Sequence, residues 1–181
     1  VFPAMGTVHT LAVEGEQALI AAEQIKERMQ EMDRKWSVFR EDSEIAALNR
    51  GELITASEDT LRILRESVML SEETGGAFDI TAGSLTKPWR QAMRDERIPN
   101  TREISEALRH TGAAGIRVFG NRVKLKRGWS VDLGGIAKGY ALDRALELLK
   151  STGTGNAILN LGGTIGGTGR PAENGTPQPP V

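Results

Sequence analysis

One stretch of this 181-residue sequence combines residue types that suit the binding of an anion. From Val131 to Asp143 the chain reads VDLGGIAKGYALD, with an acid, two glycines and a lysine inside seven residues. The apolar run predicts a strand that ends at Leu133, and the following pattern predicts a helix from Ala137 to Lys150. The first backbone N–H groups of a helix have no internal partner and its dipole is positive there, so a phosphate can bind at this point.

Asp132 and Lys138 are the candidate ligand-binding side chains of this turn. A cation in the first turn of a helix opposes the dipole, and a bound phosphate would reverse that cost. Asp132 could bond a ribose, accept a base N–H or hold the loop. Alternatively, Gly134 and Gly135 form only a tight connection and Lys138 lies in solvent. The spacing is neither that of a Walker motif nor that of GxGxxG, so the residues alone leave both interpretations open.

Three shorter segments offer further candidates, each with a simpler structural alternative. In TGGAFDIT, the apolar pair Ala77 and Phe78 precedes Asp79, a pattern suited to the edge of a heterocyclic base, although Asp79 could equally cap a turn. Met5 could stack on a base, but methionine at the start of a strand is typical of a core. Phe39, in a polar stretch, could stack on a ligand or pack a loop onto the core.

The composition excludes several classes of protein. Hydrophobic residues make up 39% of the chain and charged residues 26%, which is typical of globular proteins and not of disordered, fibrous or membrane ones. Twenty-three basic residues against twenty-four acidic ones leave no basic excess for nucleic acid. The absence of cysteine excludes disulfides, thiolate zinc sites and a cysteine nucleophile. No apolar run approaches the roughly 20 residues of a membrane-spanning helix.

Periodicity and capping signals predict four helices. The apolar stripes of the first two are Ile25, Met29, Met32 and Trp36, and then Leu61, Leu64 and Val68 in a helix that starts at Ser57. Asn100 and Glu103 form a capping box for a short third helix through Leu108. The fourth is the helix from Ala137, with Ala141, Ala145, Leu148 and Leu149 inward.

The remaining segments predict strands and loops in an α+β fold. Strands are expected at 5–13, 129–133 and 157–163, with a hairpin around Gly120 and Asn121. Residues 37–49 are expected to be irregular, and 76–90 to be strand and loop because Gly83 and Pro88 disfavour a helix. The turn-rich tail, 167–181, suits an exposed hairpin tip or a linker.

Five ordered motifs resemble those of the ApbE family, the FAD:protein FMN transferases. They are MGT, FREDSEIAALN, GGAFDITAGSL, VDLGGIAKGYALD and NLGGTIGGTG. The resemblance runs along nearly the whole chain and implies a T-fold-like arrangement of antiparallel sheets packed with helices. It also implies a Mg²⁺-dependent enzyme that cleaves FAD at its pyrophosphate, attaches the FMN half to a Thr or Ser of an acceptor flavoprotein and releases AMP.

The positions that match the family's motifs imply contacts to the flavin nucleotide and one metal ligand. The nucleotide contacts are Met5, Phe39, Ala77, Phe78, Asp79, Asp132 and Lys138. Gly135 matches a residue that offers its backbone carbonyl to the metal, and Mg²⁺ prefers such oxygen ligands together with substrate phosphates. The resemblance identifies no general base. It favours the anion-binding interpretation of the turn at Gly134.

The sequence departs from the family's pattern in two mild ways and one serious one. Ser84 stands in place of the more usual proline, and Thr164 stands where the family often has asparagine. Family members continue further, through a histidine and a DAxxT motif that completes the metal site. We therefore expect residues 1–181 to be the N-terminal portion of a longer domain, with its remainder cleaved, deleted or on a companion chain, and to lack activity alone.

Three alternatives to the transferase stay open at this point. An Mg²⁺-dependent FAD pyrophosphatase would use water in place of the acceptor hydroxyl. A non-catalytic flavin-binding module would retain FAD, and a purely structural module would bind no adenine nucleotide. Many relatives are exported bacterial lipoproteins, so the expected location is the cell envelope or periplasm, with the cytoplasm as the alternative.

Overall fold

The computed structural model describes residues 1–169, which form two compact units. Unit 1 consists of Val1–Glu31 and of the chain from Lys138 onward, and unit 2 is Met32–Ala137. Unit 2 is therefore a continuous insertion between two segments of unit 1. None of the described helices is long and apolar enough to cross a bilayer.

Helices and antiparallel strands alternate irregularly along the described chain, which confirms the α+β prediction. The helices are α1 (Ala18–Trp36), α2 (Glu44–Asn49), α3 (Glu58–Glu73), α4 (Gly83–Arg94), α5 (Thr101–Leu108) and α6 (Ala137–Ser151). The strands are β1 (Phe2–Ala4), β2 (Thr7–Val13), β3 (Ile54–Thr55), β4 (Ile116–Phe119), β5 (Arg122–Leu125), β6 (Ala157–Leu161) and β7 (Thr164–Thr168). Short 3₁₀ helices occupy Ile80–Ala82 and Ala113–Gly115.

Unit 1 contains a four-stranded antiparallel sheet in the order β1-β2-β6-β7. The strand predicted at 5–13 begins only at Thr7, because Met5 and Gly6 form a tight turn from β1 with φ values of 50° and 72°. Two successive residues with positive φ are the signature of the turn that best matches the twist of a hairpin. Met5 therefore lies at a turn and not inside a strand.

The core of unit 1 lies between this sheet and its helices. Leu159 and Leu161 of β6 are completely buried, as is Leu149 of α6. A Cβ atom on Gly166 of β7 would lie 3.0 Å from the Leu142 side chain, so α6 packs closely on this strand. The predicted inward residues Ala141 and Ala145 are also buried, whereas Leu148 is half-buried.

Unit 2 contains a second antiparallel sheet in the order β3-β5-β4. The predicted hairpin is present, with Phe119 opposite Arg122 and Gly120 at φ 64°. Trp36, the last residue of the predicted first stripe, is buried and donates its Nε1–H to Thr60 Oγ1 of α3 at 2.9 Å. This bond explains why the buried face of α3 follows Thr60, Ile63, Leu64 and Ser67, and leaves Leu61 and Val68 half-buried.

Two predictions for unit 2 were wrong: in the first a local cap starts a helix within a polar segment, and in the second distant hydrogen bonds override local preference. The segment predicted as irregular contains α2, which Ser43 caps by accepting the Ala46 N–H at 2.9 Å. The segment predicted as strand and loop forms α4, with Pro88 inside the helix. The first turn of this helix is held by Ser84, whose Oγ donates to His110 O at 2.8 Å and accepts from Ser130 N at 2.9 Å.

Two further predictions concern the ends of elements. The capping box of α5 is present, with Asn100 Oδ1 accepting from Glu103 N at 3.0 Å and Glu103 Oε2 accepting from Asn100 N at 2.7 Å. The tail predicted to be turn-rich begins inside β7, and its residues 170–181 lie outside the described part of the chain.

The capping box gives a testable pH dependence. Hydrogen bonds from Arg97, with further help from the Asn100 N–H, lower the pKa of Glu103 to about 2. Because this folded-state pKa is below the ordinary value of about 4.3, the stabilisation is complete above that value and is lost as the pH falls towards 2. Glutamine at this position can still accept the cap bond but carries no charge.

We therefore expect Glu103→Gln to lower the melting temperature at pH 7, with a difference from the wild type that shrinks in acid. Melting scans at several pH values measure this difference. Glu72→Gln, on α3, is the control and should show no such trend. A Glu103→Gln difference that is constant from pH 7 to acid would contradict the assigned role of the Arg97 ion pair.

Candidate functional site

The segment predicted as the strand 129–133 is not paired with any of the described strands and is bonded by the side chains of Asn49 and Ser84 and by the Ile80 backbone oxygen. Asn49 donates Nδ2–H to Val131 O at 2.9 Å and accepts the Val131 N–H on Oδ1 at 2.8 Å. A carboxamide offers the same donor and acceptor as a peptide group, so Asn49 takes the place of a neighbouring strand. The strand prediction failed because this partner lies 82 positions away in sequence.

The two glycine-containing motifs of unit 2 lie side by side. Asp132 donates its backbone N–H to Ile80 O at 2.9 Å, which joins the VDLGG segment to the FDIT segment. A Cβ atom on Gly83 would lie 2.6 Å from the Val131 backbone carbon, so only glycine permits this approach. Gly135 faces the Phe78 ring, since a Cβ there would lie 3.5 Å from Cε2. The structure therefore brings Phe78 and Gly135 together.

Asp79 has the capping role that the sequence offered as the alternative. It is the N-cap of the 3₁₀ helix Ile80–Ala82, and its Oδ1 accepts the Thr81 N–H at 2.8 Å. Oδ2 accepts from Gly112 N at 2.9 Å. These bonds account for Asp79 as a structural residue, and its contact with a nucleotide stays a prediction.

Asp132 and Phe39 are linked by Arg90, a residue that the sequence analysis missed. Asp132 Oδ1 accepts the Gly134 N–H at 2.9 Å and its Oδ2 accepts from Arg90 Nη2 at 3.1 Å. The Arg90 guanidinium carbon lies 5.1 Å from the centre of the Phe39 ring, which is a cation–π contact. Phe39 is 82% exposed, so it does not pack a loop onto the core. Its ring is available to a ligand.

These three residues line an open cavity of about 250 Å³ in unit 2. Its charged lining consists of Arg40, Arg50, Lys87 and Arg90 together with Glu41 and Asp132. Four basic lining residues against two acidic ones favour an anion, with Arg40, Arg50 and Arg90 paired to Asp42, Glu52 and Asp132 and Lys87 in no ion pair with a described residue. The exposed ring favours a flat group beside them. Just beyond the lining, a hydrogen bond from Arg40 lowers the pKa of Asp42, so that carboxylate stays ionised.

The other predicted site residues occupy separate positions. Ala77 is exposed and Phe78 is half-buried in unit 2. Met5 and Lys138 both belong to unit 1, where Met5 forms the turn after β1 and Lys138 is the second residue of α6. The nucleotide contacts of Met5, Ala77 and Lys138 stay predictions.

The described residues do not by themselves form a magnesium site. Among residues 1–169 there is no group of three or more acidic or histidine side chains placed to hold a metal ion. Both carboxylate oxygens of Asp132 already accept hydrogen bonds. The predicted carbonyl ligand from Gly135 would therefore need the substrate's phosphates and further ligands to bind Mg²⁺.

The comparison with known proteins decides the family. The model of the ApbE family matches residues 5–179. This chain belongs to the ApbE family. The FAD:protein FMN transferase of Vibrio cholerae is 28% identical to this ApbE-family chain over 173 residues, which cover 90% of the chain and 52% of that relative. The enzyme of the same name from Haemophilus influenzae is 27% identical over 162 residues, which cover 83% of this chain and 47% of that relative. The chain thus spans about half the length of these relatives.

Solved structures of the ApbE family share this fold. The ApbE protein of Thermotoga maritima is 34% identical with a TM-score of 0.80, over 91% of this chain and 56% of that one. The apo form of the flavinyl transferase ApbE from Pseudomonas stutzeri is 25% identical with a TM-score of 0.83, over 93% and 60%. The predicted family resemblance and its fold of antiparallel sheets and helices are both confirmed.

The Asn49 side chain gives a second testable prediction. We expect Asn49→Ala to lower the free energy of unfolding by about 2 kcal/mol, because it leaves the N–H and C=O of buried Val131 without partners. Urea denaturation measures this change. Asn49→Asp keeps an acceptor for the Val131 N–H but sets a carboxylate oxygen against the Val131 carbonyl oxygen, so this variant should also be destabilised. A loss no larger than that of an exposed Arg102→Ala control would refute the bridging role.

Proposed function

We propose that this chain forms part of an FAD:protein FMN transferase that modifies a Thr or Ser of an acceptor protein. The observation that best supports the proposal is the basic cavity of unit 2, where exposed Phe39 and the Arg90–Asp132 pair meet beside the VDLGG segment. Such a cavity suits a ligand that has both a flat ring and phosphate charge. FAD is a ligand of this kind, and curated relatives are named for its use.

In the proposed reaction the acceptor hydroxyl oxygen attacks the phosphorus of the FMN half of FAD. The bond from that phosphorus to the bridging oxygen breaks, and AMP leaves with the bridging oxygen. The product is a phosphoester between FMN and the acceptor, and the hydroxyl proton is released. The start of α6 and the Lys138 ammonium would oppose the negative charge on the diphosphate, and this electrostatic term is usually the largest in phosphoryl transfer.

Magnesium is part of the proposal. When bound, Mg²⁺ would polarise the phosphoryl oxygens of the substrate. Gly135 is the residue of this chain that we propose as its carbonyl ligand. Within this chain, Arg90 neutralises Asp132 through the 3.1 Å pair, so that the carboxylate repels an incoming anion less.

The direct test uses the whole gene product with FAD, Mg²⁺ and candidate acceptor proteins. The proposal predicts AMP release together with flavin that stays on the acceptor under denaturing conditions. Free FMN and AMP, without flavin on the protein, would instead identify the pyrophosphatase. Tight FAD retention without AMP release would identify a non-catalytic binding module.

Lys138 supplies a prediction about turnover. We expect Lys138→Ala to reduce FAD affinity or turnover at least about tenfold, because it removes a cation from the proposed diphosphate site. Titration with FAD and the AMP-release assay measure the two quantities. Lys150→Ala, in the last turn of the same helix, is the matched control. Unchanged flavinylation of an acceptor by Lys138→Ala would refute the assignment of this residue.

Arg90 supplies a prediction about binding. We expect Arg90→Ala to weaken FAD binding about tenfold. The substitution removes the ion pair that neutralises Asp132 and the cation–π contact with the Phe39 ring. Arg94→Ala removes the arginine one turn further along α4, which bonds only to Gln91 within the described residues, and should leave FAD affinity unchanged. Equal effects of the two variants on FAD titration would contradict a specific role for Arg90.

A further inference from the structure

A second cavity in unit 2 contains basic residues on β5 and the following turn that nothing in the proposed reaction uses. It has a volume of about 360 Å³, and its charged lining residues are Arg50, Lys87, Lys124, Lys126 and Arg127. None of its lining residues is acidic. It adjoins the cavity around Phe39, with which it shares Asn49, Arg50 and Lys87.

The basic side chains of this cavity come together from three parts of the fold. Arg50 follows α2, Lys87 lies in α4, and the other three lie on β5 and the turn after it. Arg50 pairs with Glu52 at 2.6 Å, whereas the others form no salt bridge with any of the described residues. The whole chain has a net charge of only −1, so this concentration does not reflect its composition.

Placing these charges together lowers the stability of the empty protein. Lys124 lies directly opposite Arg117 in the β4–β5 pair, and like charges at opposed positions destabilise a sheet. Clustered charge of one sign also opposes compaction. An anion bound among the lining side chains would offset the second cost.

The backbone that presents these charges is firmly held. Lys126 donates its N–H to Gly115 O at 2.8 Å, and the indole N–H of Trp129 donates to Gly112 O at 3.2 Å. A Cβ on Gly115 would lie within 1.9 Å of the Trp129 ring, so the ring sits directly on that backbone. Lys126 Nζ lies 5.6 Å from the centre of the same ring. A ligand would therefore meet cations beside an aromatic ring with little loss of backbone freedom.

We propose that this cavity binds a phosphate-bearing anion. Lysine and arginine together match the several oxygens of a phosphate or diphosphate, and an excess of cations favours a multiply charged ligand over a single carboxylate. The phosphate comes either from a free inorganic anion or from a nucleotide whose base lies on Trp129. The site differs from the diphosphate site proposed at the start of α6 and does not depend on the flavin assignment.

The test is a calorimetric titration of the protein with inorganic pyrophosphate at low salt, in the absence of FAD. We expect saturable binding that added salt weakens. The Lys124→Glu/Arg127→Glu double variant should lose at least about tenfold in affinity. A double variant of this kind should still fold, because Lys124→Glu turns a like-charge pair with Arg117 into an opposite one. Its melting temperature, measured without ligand, checks this.

Two controls make the outcome specific. Arg102→Glu/Arg109→Glu changes the net charge by the same amount on α5 and its C-terminal cap, away from the cavity lining, and should leave pyrophosphate affinity unchanged. Lys150→Ala, in the last turn of α6 and outside the cavity lining, should also leave it unchanged. Affinity lost in either control and retained in Lys124→Glu/Arg127→Glu would overturn the proposal, as would the absence of saturable binding or a preference for a polyglutamate peptide over pyrophosphate.

Parallel titrations with AMP and with inorganic phosphate distinguish the two sources of phosphate. If the ligand is a nucleotide, AMP binds more tightly than inorganic phosphate and Trp129→Leu reduces only the AMP affinity. If it is inorganic, AMP gains nothing over inorganic phosphate and Trp129→Leu changes neither. FAD binding, measured separately on the wild type, tests the proposed function independently.

Discussion

The pair of hydrogen bonds between the Asn49 carboxamide and the Val131 peptide is the constraint on which the candidate site depends. It satisfies the Val131 peptide group without a neighbouring strand, and the chain then turns at Gly134 into α6. Gly83 then brings a second segment against the same backbone. Because Asp132 also bonds Ile80 O, the two glycine-containing motifs meet beside Val131, and Gly135 lies against Phe78. The Asn49 side chain thus makes the two hydrogen bonds that a neighbouring strand would otherwise make.

Local signals identified those elements whose stabilising partners are close in sequence. The capping box at Asn100, the hairpin at Gly120 and the stripe from Ile25 to Trp36 all follow from residues within one or two turns. Helix α4 could not be predicted in this way, because Ser84 is fixed by His110 and Ser130 and these distant bonds offset the cost of Pro88. Arg90 was missed as a result, since a segment not recognised as helix has no predicted face.

The motifs were more informative about the site than the periodicity was. Phe39 and Asp132 were selected from the sequence and do line one cavity, joined by Arg90. Averages over the chain were less informative, because a balanced count of acidic and basic residues conceals the basic linings of unit 2. The local charge of a cavity depends on which side chains the fold brings together, and the total charge of the chain does not show it.

The insertion of unit 2 into unit 1 has a consequence for the order of folding on the ribosome. Strand β2 pairs with β6 through contacts such as Thr10 with Asn160, so the central pairing of the first sheet waits until nearly the whole described chain has been made. Unit 2 is continuous and can form its own sheet and helices while β2 is paired only with β1. The amino-terminal hairpin of β1 and β2 therefore keeps an unpaired edge while unit 2 is being made, and such an edge is open to pairing with another chain.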